Sequence, residues 1–166
     1  HLLKIAYNVS MSVHDAHHFD KHGRATIAHT DIKTDQFIFQ DGYYKLSDFN
    51  RVRFLSFNPT TQKKCKFTVG KNGGEYRAPE EYAYAKENEK VDVYSLGNVL
   101  YFLLTQEEVW DGFDNKKIYE LVMAGKRPKF PPQIKESEDI FEKYMMRAIE
   151  NAWIHRPEDR PGALEV

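Results

Sequence analysis

The sequence predicts a mainly α domain that carries one small β-hairpin. Three observations predict it: an apolar stripe with helical spacing at the start, a nearly continuous apolar run over 91–104, and two β-rich runs joined by Asp41-Gly42. Leu2, Ala6, Val9, Val13 and Ala16 recur at alternating spacings of four and three, which lines one face of a helix. That helix is expected to stop near Asp20 to Gly23, with Ala25 to Ala28 forming a short buried strand. Phe37-Ile38-Phe39-Gln40 and Tyr43-Tyr44-Lys45-Leu46 then flank a two-residue connection suited to a type I′ turn. With the turn at 41 and 42, Gln40 faces Tyr43, Phe37 faces Leu46, Gln36 faces Ser47 and Asp35 faces Asp48.

From Phe54 to Gly74 the pattern dissolves into polar and basic residues with Pro59, Gly70, Gly73 and Gly74, too long for an ordinary connection and therefore a functional or mobile loop. Val93, Leu96, Leu100, Leu103 and Leu104, interleaved with Tyr94, Tyr101 and Phe102, make a helix apolar nearly all round, hence a buried central one. A short helix around Ile118, Leu121 and Val122 precedes a Pro128, Pro131, Pro132 connection that no helix crosses. Ser137 is expected to cap the last helix, with Glu138 and Asp139 in its first turn and Phe141, Met145, Ala148 and Ala152 as its buried stripe.

Composition narrows the function. The 166 residues form one domain, and 24 Lys+Arg against 25 Asp+Glu leave a net charge of −1 without long blocks of one sign, which excludes a nucleic-acid arm or an acidic tail. Cys65 is the sole cysteine, so an internal disulfide and a multi-Cys zinc site are both excluded. The run Val91 to Leu104 holds Asp92, Ser95 and Asn98 and is shorter than a membrane span of about 20 residues. The opening residues lack a signal-peptide pattern, and His1 in place of methionine points to a fragment. No G-x-x-x-x-G-K-[ST] and no G-x-S-x-G occurs, which disfavours a P-loop NTPase and a serine hydrolase.

The hairpin supplies the chemistry. Asp31 precedes it and Asp48 follows it, so the returning chain brings both acids to one site beside Gln36. Asp48 and the carboxamide oxygen of Gln36 are hard ligands of the kind Mg²⁺ takes beside substrate phosphates. Lys33 adds a compact positive charge where phosphate charge needs neutralising.

His29-Thr30-Asp31-Ile32-Lys33, with Gln36 five after Asp31, resembles the catalytic loop of eukaryotic protein kinases, and Asp48-Phe49-Asn50 resembles their metal-binding triplet. Glu75-Tyr76-Arg77-Ala78-Pro79-Glu80 resembles the end of an activation segment, Asp92-Val93-Tyr94-Ser95-Leu96-Gly97 the start of the central helix, and Arg156-Pro157-Glu158-Asp159-Arg160-Pro161 the closing motif. Five motifs in the family's order make the resemblance specific. It spans nearly all of residues 1–166 but only the helical C-terminal lobe, which would be part of an α+β domain in a complete kinase.

The resemblance implies a protein kinase using ATP and Mg²⁺ on a Ser/Thr hydroxyl of a protein substrate, with a cytoplasmic or cytosol-facing location and no nucleic-acid partner. Asp31 would deprotonate the attacking hydroxyl, Lys33 would hold the transferred phosphoryl group, and Gln36 with Asp48 would bind the metal. Glu80 would pair with Arg160 in the interior, Asp92 would accept N–H groups of the catalytic loop, and His29 would brace that loop. The glycine-rich turn, strand lysine and helix glutamate of the N-terminal lobe are absent from the sequence, so that lobe is expected upstream of His1 and these residues alone are expected to be inactive.

Four positions depart from the family pattern. Thr30 replaces an arginine that pairs with a phosphorylated loop residue, so loop phosphorylation is not expected to be the main switch. Gln36 replaces asparagine, Asn50 replaces a glycine and is expected at a left-handed position costing roughly 1 to 2 kcal/mol, and Gly73 replaces a threonine. These departures also fit a rival class, a pseudokinase acting as a binding scaffold. Outside the motifs, His14, His18 and His22 beside His17 could suggest a metal, but a solvated helix end is the simpler reading. Lys63, Lys64, Lys66 and Lys71 read as a charged loop, Cys65 as a surface thiol, and Trp110 and Trp153 as packing residues.

Overall fold

A computed structural model describes residues 1–20, 23–61, 63–70 and 73–166; His22 and Lys71 lie outside the described residues. Helix α1, Leu2–His17, buries Ala6, Val9, Val13 and His17. The inward stripe therefore ends on a histidine rather than on Ala16. Strand β1, Ile27–Ala28, is buried and leads straight into His29. Strands β2, Phe37–Gln40, and β3, Tyr43–Leu46, pair antiparallel with Phe37 opposite Leu46 and Gln40 opposite Tyr43, the register expected from the turn. Asp41 at φ 54 and Gly42 at φ 85 are both left-handed, as a type I′ turn requires. Pairing continues one step further, because Ser47 donates its N–H to the Gln36 carbonyl at 2.9 Å. Strand β4, Arg53–Phe54, then returns to pair with β1.

The remaining helices are α2, Pro79–Tyr82; α3, Lys90–Thr105; α4, Asn115–Met123; α5, Pro132–Lys135; and α6, Ile140–Ala152. Helix α3 is buried on almost every side, as its all-round apolar sequence predicts. It packs against α1 and α6. A Cβ on Gly97 would lie 2.8 Å from the Ala152 Cβ and 2.9 Å from Trp153 Cδ1, so only glycine admits this approach of α6. Trp153 Nε1 donates to Asn98 Oδ1 at 2.7 Å across the same contact. The hairpin rests on α1, where Ser12 Oγ donates to the Tyr44 carbonyl at 2.7 Å.

Three expectations change. Helix α6 is capped by Asp139, which accepts from the N–H groups of Phe141 and Glu142, while Ser137 Oγ accepts from Asp139 N–H one step outside. The cap moves because α6 starts at Ile140, and only the residue just before it can reach those donors. Its buried stripe is Met145, Ile149 and Ala152, with Phe141 and Ala148 half-buried. The 54–74 segment is not a free loop, since Phe57 bridges to Lys64 and Phe67 bridges to Glu87 through paired backbone bonds.

Arg160 locks the lower half of the fold. Its Nη2 reaches Glu80 Oε2 at 2.7 Å, its Nη1 reaches Glu80 Oε1 at 2.5 Å, and its remaining donors meet the carbonyls of Lys90, Ile154 and His155. Both residues are buried. Arg160→Ala is expected to lower the unfolding free energy by about 3 to 5 kcal/mol, because it strands the Glu80 carboxylate. Urea denaturation followed by tryptophan fluorescence measures the loss; one below about 1 kcal/mol contradicts a buried, fully bonded pair.

Candidate active site

The site is built on the segment between β1 and β2, and its foundation is a carboxylate from α3. Asp92, 1% exposed, accepts the N–H of His29 at 2.6 Å on Oδ2 and the N–H of Thr30 at 2.7 Å on Oδ1. His17 Nε2 meets the same Oδ2 at 2.8 Å. Three partners from two other segments thus converge on one buried acid, which satisfies the desolvated charge. His29 spans onward, its Nε2 at 2.9 Å from the Ser47 carbonyl and its ring edge-on to Phe49 at 5.1 Å.

Thr30 has φ 62, a left-handed conformation that a β-branched residue seldom takes. It is held there from three sides. Besides its N–H bond to Asp92, its hydroxyl donates to the Arg51 carbonyl at 2.8 Å and its own carbonyl accepts from Arg77 Nη1 at 2.8 Å. Local strain of this kind costs of order 1–3 kcal/mol and persists only where surroundings impose it. The next residue, Asp31, is thereby aimed away from the core.

Two arginines meet that carboxylate. Arg77 Nη2 lies 2.8 Å from Asp31 Oδ1 and Arg51 Nη1 lies 3.2 Å from the same oxygen. Oδ2 takes only a 3.4 Å contact from Gln36 Nε2 among the described residues. Gln36 is buried and closes the single turn Thr34–Gln36. Lys33 extends to the surface, where Nζ bonds Asp35 Oδ2 at 2.9 Å. That bond, together with the negative charges of Asp35, Asp31 and Asp48, holds the Lys33 pKa above its ordinary value. Lys33 thus lies within the electrostatic reach of both Asp31 and Asp48.

Asp48 is exposed and left-handed at φ 58, ψ 63, which turns the chain out of β3 into the turn Phe49–Arg51. Asn50 lies inside that turn and is not left-handed, so the strain expected at Asn50 falls on Asp48, where aspartate tolerates it. Gly73 faces Asn115 on α4. An amide oxygen and a carboxylate are hard donors that suit Mg²⁺ shared with phosphates, and no cluster of three or more His, Cys, Asp or Glu forms an all-protein cage among the described residues.

His17, Arg51 and Arg77 were not singled out by their sequence context as parts of the site. His17 carried a signal, being the histidine one turn beyond the Val13 stripe position. Arg77 stands within the Glu75 to Glu80 motif, but neither it nor Arg51 carried a signal for meeting Asp31, since residues far apart in sequence are joined only by folding.

A family model described as protein kinase domain matches residues 2–166. The chain is 33% identical over 150 residues to the dual specificity protein kinase shkE of Dictyostelium discoideum, covering 87% of this chain and 19% of that protein. It is 27% identical over 143 residues to the RGS domain-containing serine/threonine-protein kinase A of the same organism, covering 85% of the chain and 11% of the relative. The chain thus spans about a fifth or less of these relatives. In fold it is similar to titin kinase with its flanking domains, at a TM-score of 0.75 and 21% identity, over 98% of this chain and 27% of the other.

Behind the site lie two buried acids. Burial pushes the Glu81 carboxyl up to about 8 against the opposing pull of Arg77 and of the Ala78 N–H. Burial, aided by the charge of Glu80, pushes Glu87 up to about 7; neither Glu87 oxygen completes a hydrogen bond, although the Val69 backbone approaches. Both acids bind protons more tightly when folded than at their ordinary value of 4.5. Their stabilising contribution is therefore fully present below pH 4.5 and is lost as pH rises through 7 to 8. The urea midpoint is expected to fall across that window and to fall less steeply in Glu81→Gln; equal slopes in both chains contradict a neutral Glu81.

Proposed function

The chain belongs to the protein kinase domain family, and on that premise we propose that it is the helical C-terminal lobe of a Ser/Thr-directed protein kinase that moves the γ-phosphoryl group of ATP to a protein hydroxyl. The observation that supports this is Asp31 held by Arg77 and Arg51 on the loop fixed by Asp92, with Lys33 within the electrostatic reach of both Asp31 and Asp48. With Arg51 and Arg77 both on Oδ1, Oδ2 takes only the long Gln36 contact among the described residues, and a substrate hydroxyl would donate its proton there. Lys33 would stabilise the charge of the transferring phosphoryl group. Gln36 and Asp48 would hold Mg²⁺ beside the nucleotide phosphates, and the ion would supply neutralisation of their charge. Lys33 two residues after Asp31, and the serine/threonine designation of a relative, support Ser/Thr over Tyr.

Use of ATP points to a cytosol-facing location. No helix among the described residues is long and apolar enough to cross a membrane. A non-catalytic scaffold is the second reading, and one observation favours it: two guanidinium groups already occupy one oxygen of Asp31, as in a structural ion pair.

Phosphate incorporation into a generic protein substrate by the full-length natural protein separates the two. Asp31→Asn and Asp48→Ala are each expected to lower the rate about a hundredfold or more; equal signals from native and variants end the enzyme reading. Replacing Ser56, Thr60, Thr61 and Thr68 by alanine is expected to leave the rate unchanged, because Thr30 has its hydroxyl committed to the Arg51 carbonyl where the family places a phosphate-binding arginine. A large loss would show that loop phosphorylation is a switch here.

A further inference from the structure

Beyond α3 the chain makes an irregular turn that leads into α4, and a cavity of about 720 Å³ opens between this turn and the segment that follows α4. Its apolar lining comes from Tyr101, Trp110, Phe113 and Leu121. Trp110 is held at φ 62 and its carbonyl accepts from Phe113 N–H at 3.0 Å, which sets the Phe113 ring edge-on to the indole yet 47% exposed. A strained turn that displays a large apolar ring to solvent gains nothing for the fold, and such strain is a feature of ligand clamps.

The charges around this floor are sorted by segment. Glu107, Glu108 and Asp111 come from the turn after α3; Lys126, Arg127 and Lys129 come from the segment after α4. Arg127 is committed to the carbonyls of Trp153 and Lys126. Glu108 reaches Tyr76 Oη at 3.4 Å. Glu107, Asp111, Lys126 and Lys129 are exposed and form no ion pair among the described residues. Two rims of opposite sign thus face an apolar floor without neutralising each other.

We propose that this groove docks an extended segment of a partner protein that bears an aromatic or aliphatic anchor flanked by basic residues on one side and acidic residues on the other. The anchor fills the floor between Trp110 and Phe113, and the two flanks meet the unpaired rims, an arrangement that selects by charge pattern more than by total area. The acidic rim continues to Glu75, whose pKa is raised by its own burial and then by the charges of Glu108 and Asp111. Glu75 lies two residues before Arg77, which grips Asp31. The basic flank of the docked segment therefore runs toward the candidate catalytic acid. That the partner is the phosphorylated protein rests on the kinase reading above; the docking itself does not.

Fluorescence anisotropy on the full-length natural protein without nucleotide tests it. The probes are three dye-labelled peptides with a central Leu-Phe pair, flanked by two arginines and two glutamates on opposite sides, by arginines on both, or by glutamates on both. The native chain is expected to bind the mixed peptide about tenfold tighter than either single-sign peptide. A Lys126→Glu, Lys129→Glu chain, altered only at exposed positions, is expected to prefer the arginine peptide, and Phe113→Ala to weaken all three without changing their order. Equal binding of the mixed and arginine peptides by the native chain, or an unchanged order in the charge-reversed chain, overturns the proposal. Absence of phosphate transfer by the native full-length protein with this binding order intact sinks the kinase reading and not the groove.

Discussion

Everything in the candidate site hangs on one buried carboxylate. Asp92 sits at the N-terminal end of the central helix α3, and through it the His29 and Thr30 amides and the His17 ring are tied to the best-packed element of the fold. A charge removed from water at that depth is tolerable only if donors replace the lost hydration. The three donors do so, and in return they lose their freedom: the segment carrying Asp31 cannot shift unless α1 or α3 shifts with it. The left-handed Thr30 is the visible consequence, a residue kept in a poor conformation because each of its polar atoms has a fixed partner.

Around that anchor the charges are layered. Asp31 faces outward between Arg51, which arrives with the turn after β3, and Arg77, which arrives at the end of the long segment before α2. Arg77 is shared with Glu81 at 3.4 Å, whose carboxyl burial pushes toward its neutral form. The geometry of the acid is thus coupled to how the 54–78 segment is seated. That seating is itself defined by the Phe67–Glu87 backbone pair and the Lys64–Glu89 ion pair. The same segment end touches the groove beyond α3 through Tyr76 and Glu108, which puts the proposed docking groove and the candidate site on one continuous stretch of chain.

Much of this was legible before any coordinates. The hairpin register followed from a local rule, since a two-residue turn with two left-handed positions leaves one pairing in phase. Helix α3 followed from an apolar pattern with no polar face. What was misjudged lay at boundaries. The α6 cap moved from Ser137 to Asp139, because a helix start is decided by which residue packs first, and the left-handed turn moved from Asn50 to Asp48, because the chain leaves β3 there.

The amino-acid order by itself determined the elements whose reasons are short in range: the helices, the hairpin, its register, and the set of polar residues that resemble a kinase catalytic lobe. Only the tertiary structure decided which groups face one another across long loops. His17 on Asp92, and Arg51 and Arg77 on Asp31, join residues 20 to 75 positions apart. No periodicity encodes such pairs, because they are selected when buried charges must find counter-charges as the core closes and water leaves.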